Sequence, residues 1–168
     1  MRKGNSLVLK VLMHDIKKLE TEAVAVGFFE DIRPLKGVAG ALDWILCGAL
    51  TQLLMHNKIR GALGEAALLT TKGKIPAPKV FMVGLGPRSQ MTPARLREAS
   101  RVAATIIVGA GVTRAALDCF PLRNDQSEEY LTAVRQGLEK GAGHHALDIA
   151  LLAPDAASFE AMSRSVRA

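Results

Sequence analysis

Aromatic residues are scarce in this chain of 168 residues: they make up 4%, with a single Trp and a single Tyr. A core must then be built from Leu, Val, Ile and Ala, and too few rings are present to stack the bases of a single-stranded nucleic acid along a groove. Cysteine is nearly absent as well. Cys47 and Cys119 lie far apart, neither belongs to a C-x-x-C pair, and neither has a His at metal-ligand spacing, which argues against a disulfide framework. Walker, G-x-S-x-G and H-E-x-x-H patterns are missing, and with them the common phosphate, nucleophile and zinc signatures. No signal-peptide pattern opens the chain, so a reducing cytoplasm is the expected compartment. Gly and Pro are not in excess and 49% of residues are hydrophobic, so disorder is not expected.

What is present suits one α/β domain spanning residues 1–168, long enough to bury a core and too short for two comfortable ones. The net charge of +6 is concentrated: nine Lys and Arg stand against two Glu between Lys58 and Arg101, an excess of +7. Such a stretch attracts phosphates, nucleic acid or an acidic protein face, or merely keeps helix faces solvated.

Short Val- and Leu-rich runs, "SLVLKVL" and "AVAVGFF", predict two strands. The run from Val38 to Met55 reads as one helix, apolar all round except for a thin stripe of Asp43, Cys47 and Thr51. Asp43, Thr51 and Gln52 argue against a membrane span, and so does the lack of anchoring charge close to both ends. A helix of this kind needs cover on almost every side, which predicts a second apolar contact from another domain or subunit. Trp44, Ile45 and Leu53 are the expected interface residues.

"GEAALLTT" and "KVFMVGLG" predict two strands joined through the Pro-containing "KGKIPAP". Thr92 as N-cap and Pro93 at the first position open a helix whose buried stripe is expected to hold Leu96, Ala99, Ala103, Ile106 and Ala110. "RAALDCF" is the next strand. A helix follows with a capping box at Asp125 and Glu128 and a stop at Gly141 or Gly143; then come the strand "LDIALLAP" and a last helix. The alternation predicts a three-layer fold: a mixed, largely parallel sheet with helices on both faces.

The turn Gly84-Leu85-Gly86 leaves a strand just before a helix, where α/β sheets bind anions on backbone amides. In the functional reading, Arg88 supplies charge while the amides of Gly86 and Ser89 form the cradle. Ser89 stands where a dinucleotide fingerprint has its third glycine and Pro87 removes an amide, so a tight exit from the strand is the stronger explanation. Asp118, Asp125, Glu128 and Glu129 offer carboxylates, Cys119 a thiol expected to be buried, and His144-His145 a surface turn rather than a metal site.

Taken in order, Gly61, Gly64-Glu65, Val83-Gly84-Leu85-Gly86, Thr92 and Leu96-Arg97-Glu98-Ala99 resemble the N-terminal domain of the cytosolic leucyl aminopeptidases, the M17 peptidases. The resemblance implies a macro-domain-like fold. It also implies that catalysis resides in a separate C-terminal domain with two divalent metals, whose N-T-D-A-E-G-R segment has no counterpart here. The chain is therefore expected to be non-catalytic by itself, to need no cofactor and to bind no metal, whether it is a fragment of a longer peptidase or free-standing. The expected role is an assembly or regulatory module, as a homo-oligomer or beside an aminopeptidase catalytic subunit. The alternative is a macro-type module binding ADP-ribose or another anionic small molecule through Gly84, Gly86, Arg88 and Ser89. DNA is a weaker candidate partner, a membrane is not expected, and a diverged enzyme using Cys119 or the acidic cluster ranks last.

Overall fold

The computed structural model describes residues 6–118 and 127–167. Its strands are β1 (Leu7–Leu12), β2 (Ala23–Phe28), β3 (Ala66–Thr70), β4 (Lys79–Gly84), β5 (Arg114–Asp118) and β6 (Leu147–Leu152). Its α-helices are α1 (Gly37–Ile45), α2 (Ala49–Met55), α3 (Pro93–Gly109), α4 (Ser127–Ala142) and α5 (Ala156–Arg167). The strands form one sheet in the order β1-β6-β5-β2-β4-β3, parallel except where β3 turns back along β4.

Side-chain alternation divides the interior. Ala23 and Ala25 of β2, with Phe81 and Val83 of β4, face one core, while Val24, Val26, Val80 and Met82 face the other. The first core is closed by α3, α4 and α5, the second by α1 and α2. This is the expected three-layer α/β arrangement.

Two expectations are corrected. The run from Val38 to Met55 is not one helix: α1 and α2 meet at a bend of 104°. The break is chemical. Cys47 adopts the left-handed conformation (φ +56°), its amide donates to the Trp44 carbonyl, and that of Gly48 donates to Asp43, which closes α1 in a Schellman turn. The Asp43 carboxylate then accepts from the Thr51 amide at 2.9 Å and from the Thr51 hydroxyl, capping the first turn of α2 across the bend. The expected polar stripe is thus a joint. Among the described residues no single helix is long and apolar enough to cross a membrane.

The second correction concerns α3. Thr92 caps it as expected, accepting from the Arg95 amide, but the buried stripe runs through Leu96, Ala99, Ser100, Ala103, Ala104 and Ile107. Ile106 is half-buried and Ala110 exposed. The stripe is rotated because α4 lies unusually close: a Cβ on Gly137 would come within 2.2 Å of the Arg97 carbonyl oxygen, and one on Gly141 within 2.3 Å of that of Arg101. Gly141 is therefore a packing residue, and the helix stops at Gly143 (φ +59°). Glu128 lies in the first turn of α4, while Cys119 and Asp125 fall outside the described residues.

Candidate functional site

The glycine turn after β4 is a backbone junction. The segment from Gly61 to Glu65 lies along it: the Gly84 amide donates to the Glu65 carbonyl at 2.8 Å, the Gly64 amide to Gly84 at 3.2 Å, and the Gly86 amide to Gly61 at 2.7 Å. The Leu85 amide reaches Phe28, and Gly86 accepts from Glu30. The Glu65 carboxylate holds the turn before β3 in place, accepting from the amides of Arg60, Gly61 and Ala62 at 2.9, 2.8 and 3.0 Å. Desolvation pulls its pKa up, but those three N–H groups outweigh it and hold the carboxyl below its ordinary value.

The expected anion cradle is therefore already engaged at Gly86, whose amide is committed to Gly61. Arg88 and Ser89 are exposed, and the Arg88 amide donates to the Asp31 carboxylate at 3.0 Å. Arg95 of α3 folds over the turn, its Nη2 2.4 Å from where a Cβ on Gly86 would sit. The wider basic segment is spread over exposed positions such as Lys58, Arg60, Lys72 and Arg97, while Arg101 is paired with Glu98.

A cavity of about 220 Å³ opens elsewhere, at the carboxyl ends of β2, β5 and β6. Phe28 closes β2 on one side of it, and Phe29, Ile32 and Leu35 of the following segment form an apolar wall. Lys36 and Gly37 bring in the start of α1, and Asp118 enters from the end of β5. Burial among these groups pushes the half-buried Asp118 carboxyl up to about 7. Gly37 (φ +59°) leaves the carboxyl open: a Cβ there would lie 4.0 Å from Asp118 Oδ2. In the sequence Asp118 is one of several acids; strand order β6-β5-β2 creates its surroundings.

The elbow between α1 and α2 is the second feature. Trp44 is 86% exposed and Met55 73%, whereas Ile45 and Leu53 are half-buried against the core beneath. Cys47 is exposed at the bend with Lys74 Nζ 2.9 Å from its sulfur. His144 and His145 are exposed, and among the described residues no group of three or more His, Cys, Asp and Glu is placed to hold a metal ion.

The sequence profile of the cytosol aminopeptidase family's N-terminal domain matches residues 25–142. A probable cytosol aminopeptidase of Geobacter sulfurreducens is 36% identical over 111 residues, which cover 66% of this chain and 22% of that protein. One from Alkaliphilus metalliredigens is 28% identical over 136 residues, 79% of this chain and 27% of its own length. The chain thus spans about a quarter of these relatives. Among solved structures, a mutant tomato leucine aminopeptidase superposes with a TM-score of 0.74 at 15% identity, over 96% of this chain and 35% of that one. An Oceanobacillus iheyensis macrodomain with ADP gives 0.73 at 12% identity, over 95% and 90%. At these identities the structural likeness establishes the fold, a macrodomain-like α/β sheet.

Proposed function

Starting from the fact that this chain belongs to the cytosol aminopeptidase family through its N-terminal domain, we propose that it is a non-catalytic assembly or regulatory module of a peptidase system. It works as a homo-oligomer or beside a catalytic subunit and does not hydrolyse peptides alone. The observation that carries this is the exposed elbow: Trp44 and Met55 present large apolar side chains to solvent at 86% and 73% exposure, next to the half-buried Ile45 and Leu53. Burying a side chain of this size is worth about 1.5–3 kcal/mol, so a partner that covers both gains substantially. Aromatic anchors of this kind are characteristic of interface centres.

The test is the solution mass of the chain, alone and mixed with a metal-loaded aminopeptidase catalytic subunit, with peptidase activity read on the same fractions. A stable oligomer or a co-eluting complex, active only as the complex, supports the module. It should be lost in Trp44→Ser, a change at an exposed position that leaves folding intact. A monodisperse monomer that ignores the subunit overturns the proposal.

A further inference from the structure

The cavity at the strand ends is set apart from the elbow, and its chemistry points to a ligand of its own. Its walls at Phe28, Phe29, Ile32 and Leu35 are hydrocarbon, suited to an apolar body of a few carbon atoms rather than to a sugar or a phosphate. The one acid on its lining is Asp118, carried by β5. The other charged lining residue is Lys36, which is exposed and ends the segment between β2 and α1; β2 and the segment after β6 contribute no titratable group to the lining. Among the described residues no hydrogen-bond donor reaches the Asp118 oxygens, so its carboxyl is desolvated without compensation. A half-buried carboxylate desolvated in this way is satisfied by a cation that brings its own donors.

We infer that this cavity receives a small apolar molecule bearing a protonated primary amine, the ammonium group on Asp118 and the hydrocarbon against Phe28, Phe29, Ile32 and Leu35. The assignment is independent of the assembly role. It also opposes a phosphate ligand here, because an anion would face the Asp118 carboxylate across an apolar pocket. Alkylamines and the amino end of an apolar amino acid share this chemistry, and both contain what the walls and the acid require.

The experiment is a calorimetric titration of the full chain with isopentylamine, L-leucinamide, isopentanol and ADP-ribose, with amide chemical shifts followed by NMR. Isopentylamine should bind at pH 8 and shift the amides of Gly27 to Phe29 and of Gly37, whereas isopentanol, equal in shape but uncharged, should bind at least tenfold more weakly. Affinity should fall about tenfold from pH 8 to pH 6 as the Asp118 carboxylate takes up its proton, because an alkylamine stays charged throughout. Asp118→Asn should abolish the preference for amine over alcohol. At pH 7, where both amines are mostly protonated, tighter binding of L-leucinamide than of isopentylamine would identify an amino-acid ligand, and the reverse an alkylamine. Binding of ADP-ribose at these amides, equal binding of amine and alcohol, or no shift with any amine would each overturn the inference. The NMR readout on the unaltered chain keeps the test independent of how the variant folds.

Discussion

The carbonyl oxygen of Ala62 fills the space that a side chain on Gly84 would need: a Cβ there would come within 2.2 Å of it and 2.7 Å of the Gly61 carbonyl carbon. Both neighbours are backbone: the Gly61 carbonyl accepts from the Gly86 amide and the Ala62 carbonyl from the Glu65 amide, so neither can step aside without breaking the turn that packs on β4. Gly84→Ala should therefore cost about 2–3 kcal/mol, measured as a lower urea midpoint. Gly109 provides the control. It ends α3 with nothing within 4 Å of its missing Cβ, and Gly109→Ala should raise stability by about 0.5 kcal/mol. Equal effects from the two substitutions would refute the steric explanation.

Glu65 makes the same junction depend on pH. Its carboxyl is held below the ordinary value, so the stability it contributes is fully present above the unfolded pKa of about 4.5 and is lost as pH falls through the folded value. Glu65→Gln should cost about 1–2 kcal/mol at pH 7, since three amides lose an ionised acceptor. The difference from the parent chain should shrink below pH 4. A constant difference from pH 3 to pH 7 would show that shape, not charge, is what Glu65 supplies.

Most of the fold is legible in the sequence because its signals are local. Alternating Val and Ala fix the strands, and Thr92 with Pro93 fixes the start of α3. What escapes is set by contacts between distant segments. The break in the apolar run carries no proline; it depends on Asp43 reaching Thr51 and on a cysteine, rather than a glycine, in the left-handed position. The phase of α3 is set by Gly137 and Gly141 of α4, about 40 residues away. The candidate cavity is less legible still. Asp118 carries no local signal that separates it from the other acids, and only the sheet order brings it beside Phe28 and Gly37.

Cys47 is the odd residue in an otherwise conventional helix stop. The left-handed conformation costs an L-residue about 1 kcal/mol, and glycine is the usual occupant of this position in a Schellman turn. Cys47→Gly should stabilise the chain by about 0.5–1 kcal/mol in thermal unfolding, with the 104° bend retained. A Tm that falls instead would mean that the contact between Cys47 and Lys74 contributes more than the backbone strain costs.

Asp118 gives the opposite pH dependence to Glu65. Burial raises its carboxyl from 3.8 to about 7, so the folded chain holds a proton that the unfolded chain has released. Stability on this account falls as pH climbs from about 4 to 7, and the penalty is complete above 7. Asp118→Asn, which cannot ionise, should be close to neutral at pH 4 and more stable than the parent by about 1–2 kcal/mol at pH 8, a value below the full shift because water reaches the half-buried group. Urea midpoints at the two pH values decide it. A variant that gains nothing at pH 8 would mean that the carboxylate is already satisfied in the folded chain, which removes the reason for a cation to bind there.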